Sequence, residues 1–161
     1  MLPFATEAAW STTKWDAIQR FTKLAPKDAG ADFNVSVGRV LLHLRRKDYD
    51  AFGKSIDEIK EHIGASMTVD NTSSTRACHD SLLKLHALAE VEMIARMARP
   101  EHLGNDKELV NRTLGSLDFR LEAIGAYSHD KQYILGLRRA AMELSRYVRT
   151  TSHQLDSANK A

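Results

Sequence analysis

The feature that most constrains this chain is its shortage of proline. Proline occurs only at Pro3, Pro26 and Pro100. Between them lie long stretches in which nothing removes a helical hydrogen bond. Apolar residues in those stretches recur at helical spacing, and no segment alternates as a half-buried strand does. The pattern predicts an all-α fold of about six helices, paired as antiparallel hairpins with short turns.

The helices can be read one by one. Residues 7–10 have the pattern of the tail of a helix whose first turns are missing. Thr12 or Thr13 is placed to cap a helix over 14–24, with Trp15, Ile18 and Phe21 or Thr22 on one face. Residues 26–30 form a loop. A helix over 33–46 follows, with Val37, Val40, Leu41 and Leu44 on one side. Asp48 caps the next, over 49–63, where Phe52, Ile56, Ile59 and Ile63 make one stripe. Gly64 is its expected stop, and 65–74 is a loop by composition. The helix over 75–98 is apolar nearly all round, from Leu82 to Met97, which demands burial on more than one side. Asn105 and Glu108 have the spacing of a capping box for a helix that Gly125 ends. A last helix spans 130–149, and the polar residues 150–161 are expected to fray. Gly38, Gly53, Gly115 and Gly136 fall inside helices, at a cost of about 1 kcal/mol each against alanine. Close approach of helix axes would account for them.

Charge and cysteine narrow the function classes. The net charge is +2, too small for a dedicated nucleic-acid grip. No stretch reaches the roughly 20 apolar residues of a membrane span, and no secretory signal opens the chain. Cys78 is the one cysteine, which fits a reducing intracellular compartment. On that footing the triplets at Asn34, Asn71 and Asn111 are chance glycosylation matches.

Candidate chemistry is thin. His86 and Glu90 are four apart with Glu92 nearby, but a zinc site needs three or four ligands. A helix–helix polar contact explains them better. Cys78 and His79 are neighbours whose side chains diverge on a helix, so they make no nucleophile–base pair. The basic run His43-Leu44-Arg45-Arg46-Lys47 and the pair Arg138-Arg139 could meet phosphate or an acidic partner. A solvated face or a salt bridge is the plainer reading. Trp10 and Trp15 read as packing between two helices. There is no phosphate loop and no kinase catalytic loop, so no catalytic, cofactor-binding or metal residue is assigned.

A weak repeat runs through the first part. Trp10-x4-Trp15-Asp16 returns as Leu44-x4-Tyr49-Asp50, an offset of 34 residues, the period of a tetratricopeptide repeat. The full consensus is absent.

Taken in order, several motifs resemble one family. They are Ala9-Trp10-x4-Trp15-Asp16; Val37-Gly38-Arg39-x-Leu41-Leu42 with Asp48-x-Asp50-Ala51-Phe52; Leu82-x2-Leu85-His86-x-Leu88-x-Glu90-x-Glu92; Arg120-Leu121-Glu122; and Leu137-Arg138-Arg139-Ala140-x3-Leu144. Together, over residues 5–148, they resemble the FAT region of ATR-type checkpoint kinases, closest to fungal members. These are protein kinases related to phosphatidylinositol kinases. Each motif is a packing pattern, and their specificity lies in the joint order. Trp10, Trp15, Asp16, Gly38, Arg39, Asp50, Phe52, Leu85, His86, Glu90, Glu92, Arg120, Leu121, Glu122, Arg138 and Arg139 are the expected packing or interface positions.

The resemblance implies a tetratricopeptide-like α-solenoid over 1–149 that clamps a kinase domain and supports complex assembly. It implies a nuclear serine/threonine kinase as parent, using ATP and magnesium outside this chain. That parent would respond to single-stranded DNA through a partner subunit. The partners of this chain would be the kinase domain and neighbouring repeats. On this reading the chain starts inside a repeat and stops short of the family's further hairpins. The isolated chain should then be marginally stable or oligomerise. The alternatives are a free-standing peptide-binding adaptor and, far behind, a small helical enzyme or metal protein.

Overall fold

The computed structural model describes residues 1–26, 32–70, 74–99 and 107–158. Among them are seven helices and no strand. They are α1 (Leu2–Ser11), α2 (Trp15–Leu24), α3 (Phe33–Arg45), α4 (Tyr49–Asp70), α5 (Thr75–Met97), α6 (Lys107–Ala123) and α7 (Ser128–Ala158). The chain divides into two compact units, Met1–Ala89 and Glu90–Ala161. Helix α5 contributes to both.

In the first unit, α3 is the central helix and packs on α1, α2 and α4. Its residues Val35, Ser36, Val37, Gly38, Val40, Leu41, Leu42 and Leu44 are all buried. This broad burial was expected of α5, where it holds only for the later turns. There Ala87, Leu88, Val91, Ile94 and Ala95 are buried, while Leu82 is exposed. Around α3 lie Trp10, Ile18, Phe52, Ile56, Ile59 and Ile63, all buried. The predicted stripe on α4 is thus the buried one. Each fully buried side chain of this size contributes about 1.5–3 kcal/mol.

Gly38 is where α3 comes nearest to its neighbours. A Cβ there would lie 2.9 Å from Thr6 Cγ2 and 3.3 Å from both Ile18 Cγ2 and Thr22 Cγ2. Both threonines are held in place, because Thr6 Oγ1 donates to Leu2 O and Thr22 Oγ1 donates to Ile18 O. The close-approach explanation therefore applies at Gly38. It fails at Gly53 and Gly115, where a Cβ would meet nothing within 4 Å.

Two turns in this unit share one geometry. After α1, Thr13 takes φ 56, and after α3, Lys47 takes φ 61. Lys14 N–H donates to Ala9 O at 2.9 Å, and Thr13 N–H donates to Trp10 O at 3.1 Å. After α3, Asp48 N–H donates to His43 O and Lys47 N–H to Leu44 O, both at 3.0 Å. This left-handed C-cap satisfies carbonyls that the helix end would otherwise leave open. Every atom pair in the second turn is displaced from the first by 34 residues. The sequence echo is therefore an echo in backbone conformation.

Several expected boundaries are corrected. Helix α1 begins at Leu2, with Pro3 in its first turn, a position where proline costs no hydrogen bond. Neither Thr12 nor Thr13 caps α2. The N-cap of α2 is Lys14 without a side-chain bond, and Thr12 Oγ1 donates back to Ala8 O. Helix α4 does not stop at Gly64 but continues to Asp70. Gly64 is not among the residues with positive φ, so it makes no C-cap and is simply passed through. Gly125, with φ 74, stands in the turn that follows the end of α6 at Ala123. Helix α7 runs past the expected stop near Arg149 to Ala158, and Thr150 and Thr151 bond back to Arg146 O and Tyr147 O. Asp48 caps α4 as expected, accepting from Ala51 N–H at 3.0 Å. Asp32 and Ser74 do the same for α3 and α5. The loop centred on residues 27–30 and the Asn105 half of the capping box lie outside the described residues.

Candidate functional site

The most concentrated polar feature lies in the second unit. Glu90 sits within the apolar run Ala87-Leu88-Ala89-Glu90-Val91, and the residue is only 1% exposed. A bare carboxylate there would carry a cost of several kcal/mol. Arg138 on α7 removes it. Its Nε donates to Glu90 Oε2 and its Nη2 to Glu90 Oε1, both at 2.8 Å. Nη2 also donates to Leu117 O at 2.8 Å. One guanidinium thus joins α5, α6 and α7. Asp118 Oδ1 stands 3.9 Å from Nη1, but its side chain is 81% exposed, so water screens that attraction.

This arrangement is built to hold, not to react. Both Glu90 oxygens are engaged by the planar fork, the strongest form of such a bond. A metal at His86 and Glu90 would have to displace the fork. Among the described residues, no group of three or more His, Cys, Asp or Glu side chains is placed to hold a metal ion.

The other sequence-derived positions are dispersed. In the first unit, Trp10 and Phe52 are buried, Trp15 is half-buried, and Asp16 and Asp50 are exposed. The Arg45 guanidinium lies 6.0 Å from the centre of the Trp15 ring, at the outer limit of a cation–π contact. Arg39 Nη2 donates to Pro26 O at 3.2 Å, and Asn34 Nδ2 ties α3 to α1 through Glu7 Oε2 at 2.9 Å. Leu85 and His86 are half-buried. In the second unit Glu92, Arg120 and Leu121 are half-buried, while Glu122 and Arg139 are exposed. Arg138 and Arg139, read from sequence as one basic pair, are thus in different surroundings. Cys78 is half-buried and His79 exposed.

The pairing of Glu90 with Arg138 was not read from the sequence. Their separation of 48 residues carries no local signal. The available clue was the glutamate itself, a charge inside an apolar helical run that required a buried cation elsewhere.

Comparison with known families settles the broader class. The family model described as "FAT domain" matches residues 2–160. The chain belongs to the FAT domain family. FAT domains are non-catalytic helical scaffold regions of kinases related to phosphatidylinositol kinases, which agrees with the all-helical fold. Neither the curated proteins nor the solved structures give a match to this FAT domain. No helix among its described residues is long and apolar enough to cross a membrane.

Proposed function

We propose that this FAT domain is a tetratricopeptide-like α-solenoid segment of a nuclear, ATR-type checkpoint kinase of fungal kind. Its work is mechanical. It holds the kinase domain of the same parent, stacks on neighbouring repeats, and supports assembly with the checkpoint partner subunit. ATP, magnesium and phosphoryl transfer belong to the kinase domain, and this chain supplies no catalytic residue. Single-stranded DNA is reached through the partner subunit.

The observation that carries this reading is the left-handed turn whose two capping hydrogen bonds return after 34 residues. A repeated hairpin buries its faces on its neighbours, as solenoid repeats do. The order of the packing motifs across residues 5–148 supports the ATR-type assignment. The Glu90–Arg138 fork suits a scaffold, because it ties three helices at one point.

Co-expression with the kinase domain of an ATR-type kinase tests the proposal. The expected result is co-elution on size exclusion and protection of the kinase domain from limited proteolysis. If the two elute apart and the kinase domain is cut as fast as when alone, the scaffold reading is overturned. A free-standing adaptor then takes its place.

A further inference from the structure

A cavity of about 150 Å³ opens between α2 and α3. Gln19, Thr22 and Lys23 line it from α2, Arg39, Leu42 and His43 from α3, and Arg46 from the C-cap of α3. Thr22 and Leu42 are buried and form the floor, while Lys23 and Arg46 are exposed at the rim. Two arginines, a lysine and a histidine thus line one small hollow, and among the described residues no carboxylate lines it. We propose that this pocket binds the phosphoryl group of a phosphorylated serine or threonine side chain in a peptide.

The placement follows from helical geometry. Arg39, His43 and Arg46 stand at i, i+4 and i+7 and share one face of α3. Gln19 and Lys23 stand at i and i+4 on α2 and face them across the hollow. Arg39 Nη2 donates to Pro26 O at 3.2 Å, which uses one of its five N–H donors. His43 Nδ1 is shielded from solvent and has no hydrogen-bond partner among the described residues. The C-terminal ends of α2 and α3 each contribute about half a negative charge. Three full side-chain cations outweigh them.

The chemistry favours a phosphoryl group over a carboxylate. A phosphate monoester carries about −1.5 to −2 charge and three strong acceptor oxygens, which suits a hollow lined by three cationic side chains. Arginine forks recognise it with two parallel bonds. A peptide fits better than a nucleic acid, because this positive charge gathers around one small hollow in a chain whose net charge is only +2. A nucleic-acid surface would extend it as a stripe.

The test is fluorescence anisotropy on the 161-residue chain with a labelled peptide library that carries a fixed central phosphoserine. The same library with serine, inorganic phosphate and a single-stranded RNA of similar length are the comparison probes. The phosphorylated library should bind at least tenfold more tightly than the serine library. Lys23→Glu with Arg46→Glu should weaken that binding at least tenfold, with unchanged circular dichroism. If the reversals disturb the fold, Arg46→Gln alone should still weaken binding severalfold. Equal affinity for the two libraries would overturn the proposal, as would binding indifferent to these substitutions. Tighter binding of RNA, or displacement of the peptide by inorganic phosphate at equal concentration, would overturn it too.

Discussion

At the scale of single residues, the chain shows how much depends on what surrounds one atom. Removing one member of the Glu90–Arg138 pair leaves a buried charge alone, which costs about 3–5 kcal/mol. Glu90→Leu should therefore lower stability by about that much in urea denaturation. It should also expose amides of α6 and α7 to hydrogen exchange. The double change Glu90→Leu with Arg138→Met should recover most of the loss, because apolar groups of similar volume replace such pairs at little cost. A double variant as unstable as the single one would show that the fork does more than satisfy its own charges. The glycines make a second contrast. Gly53→Ala and Gly115→Ala, with open space at each Cβ, should each stabilise by about 1 kcal/mol through helix propensity. Gly38→Ala should destabilise by about 1–2 kcal/mol, since two pinned threonines and Ile18 stand in its way. Thermal melts of the three variants check the signs. The sequence showed all these glycines alike, since it places residues within a helix and not across from a neighbour.

At the scale of elements, the helices were legible and their ends were not. Periodicity located each helix because burying an amphipathic stripe leaves its period in the sequence. Ends depend on backbone states that many residues can adopt. Gly64 read as a stop, yet it keeps a helical backbone and α4 continues. Thr13 and Lys47 do stop helices, in a left-handed conformation that the sequence did not announce. A β-branched residue such as threonine is seldom found there. Replacing either with glycine should relieve about 1–2 kcal/mol of steric cost and give back part of it as chain entropy. A net gain of about 0.5–1 kcal/mol is expected, larger for Thr13→Gly than for Lys47→Gly, by urea midpoints. Asp48 behaves as a cap should, and Asp48→Ala should cost about 1 kcal/mol.

At the scale of the whole molecule, the question is what the exposed apolar side chains are for. Scattered single ones need no explanation. Both units expose large apolar side chains, and in the second these are Leu114, Phe119, Tyr127, Leu135 and Tyr147, with Phe119 at 72%. A FAT domain is a scaffold region and is expected to meet neighbours, so such side chains are candidates for contacts with them. In dilute solution the same surface has only water or a second copy to meet. Covering one large aromatic against another chain returns about 1.5–3 kcal/mol, and several together can outweigh the cost of association only at high concentration. The chain alone should therefore show a sedimentation mass that rises with concentration. Phe119→Glu with Leu135→Glu should hold it as a monomer, with its helix content unchanged by circular dichroism. If the variant associates as strongly as the parent chain, these residues do not carry the contact. If the parent chain is monomeric at every concentration, the exposed surface is too dispersed to act as an interface between copies.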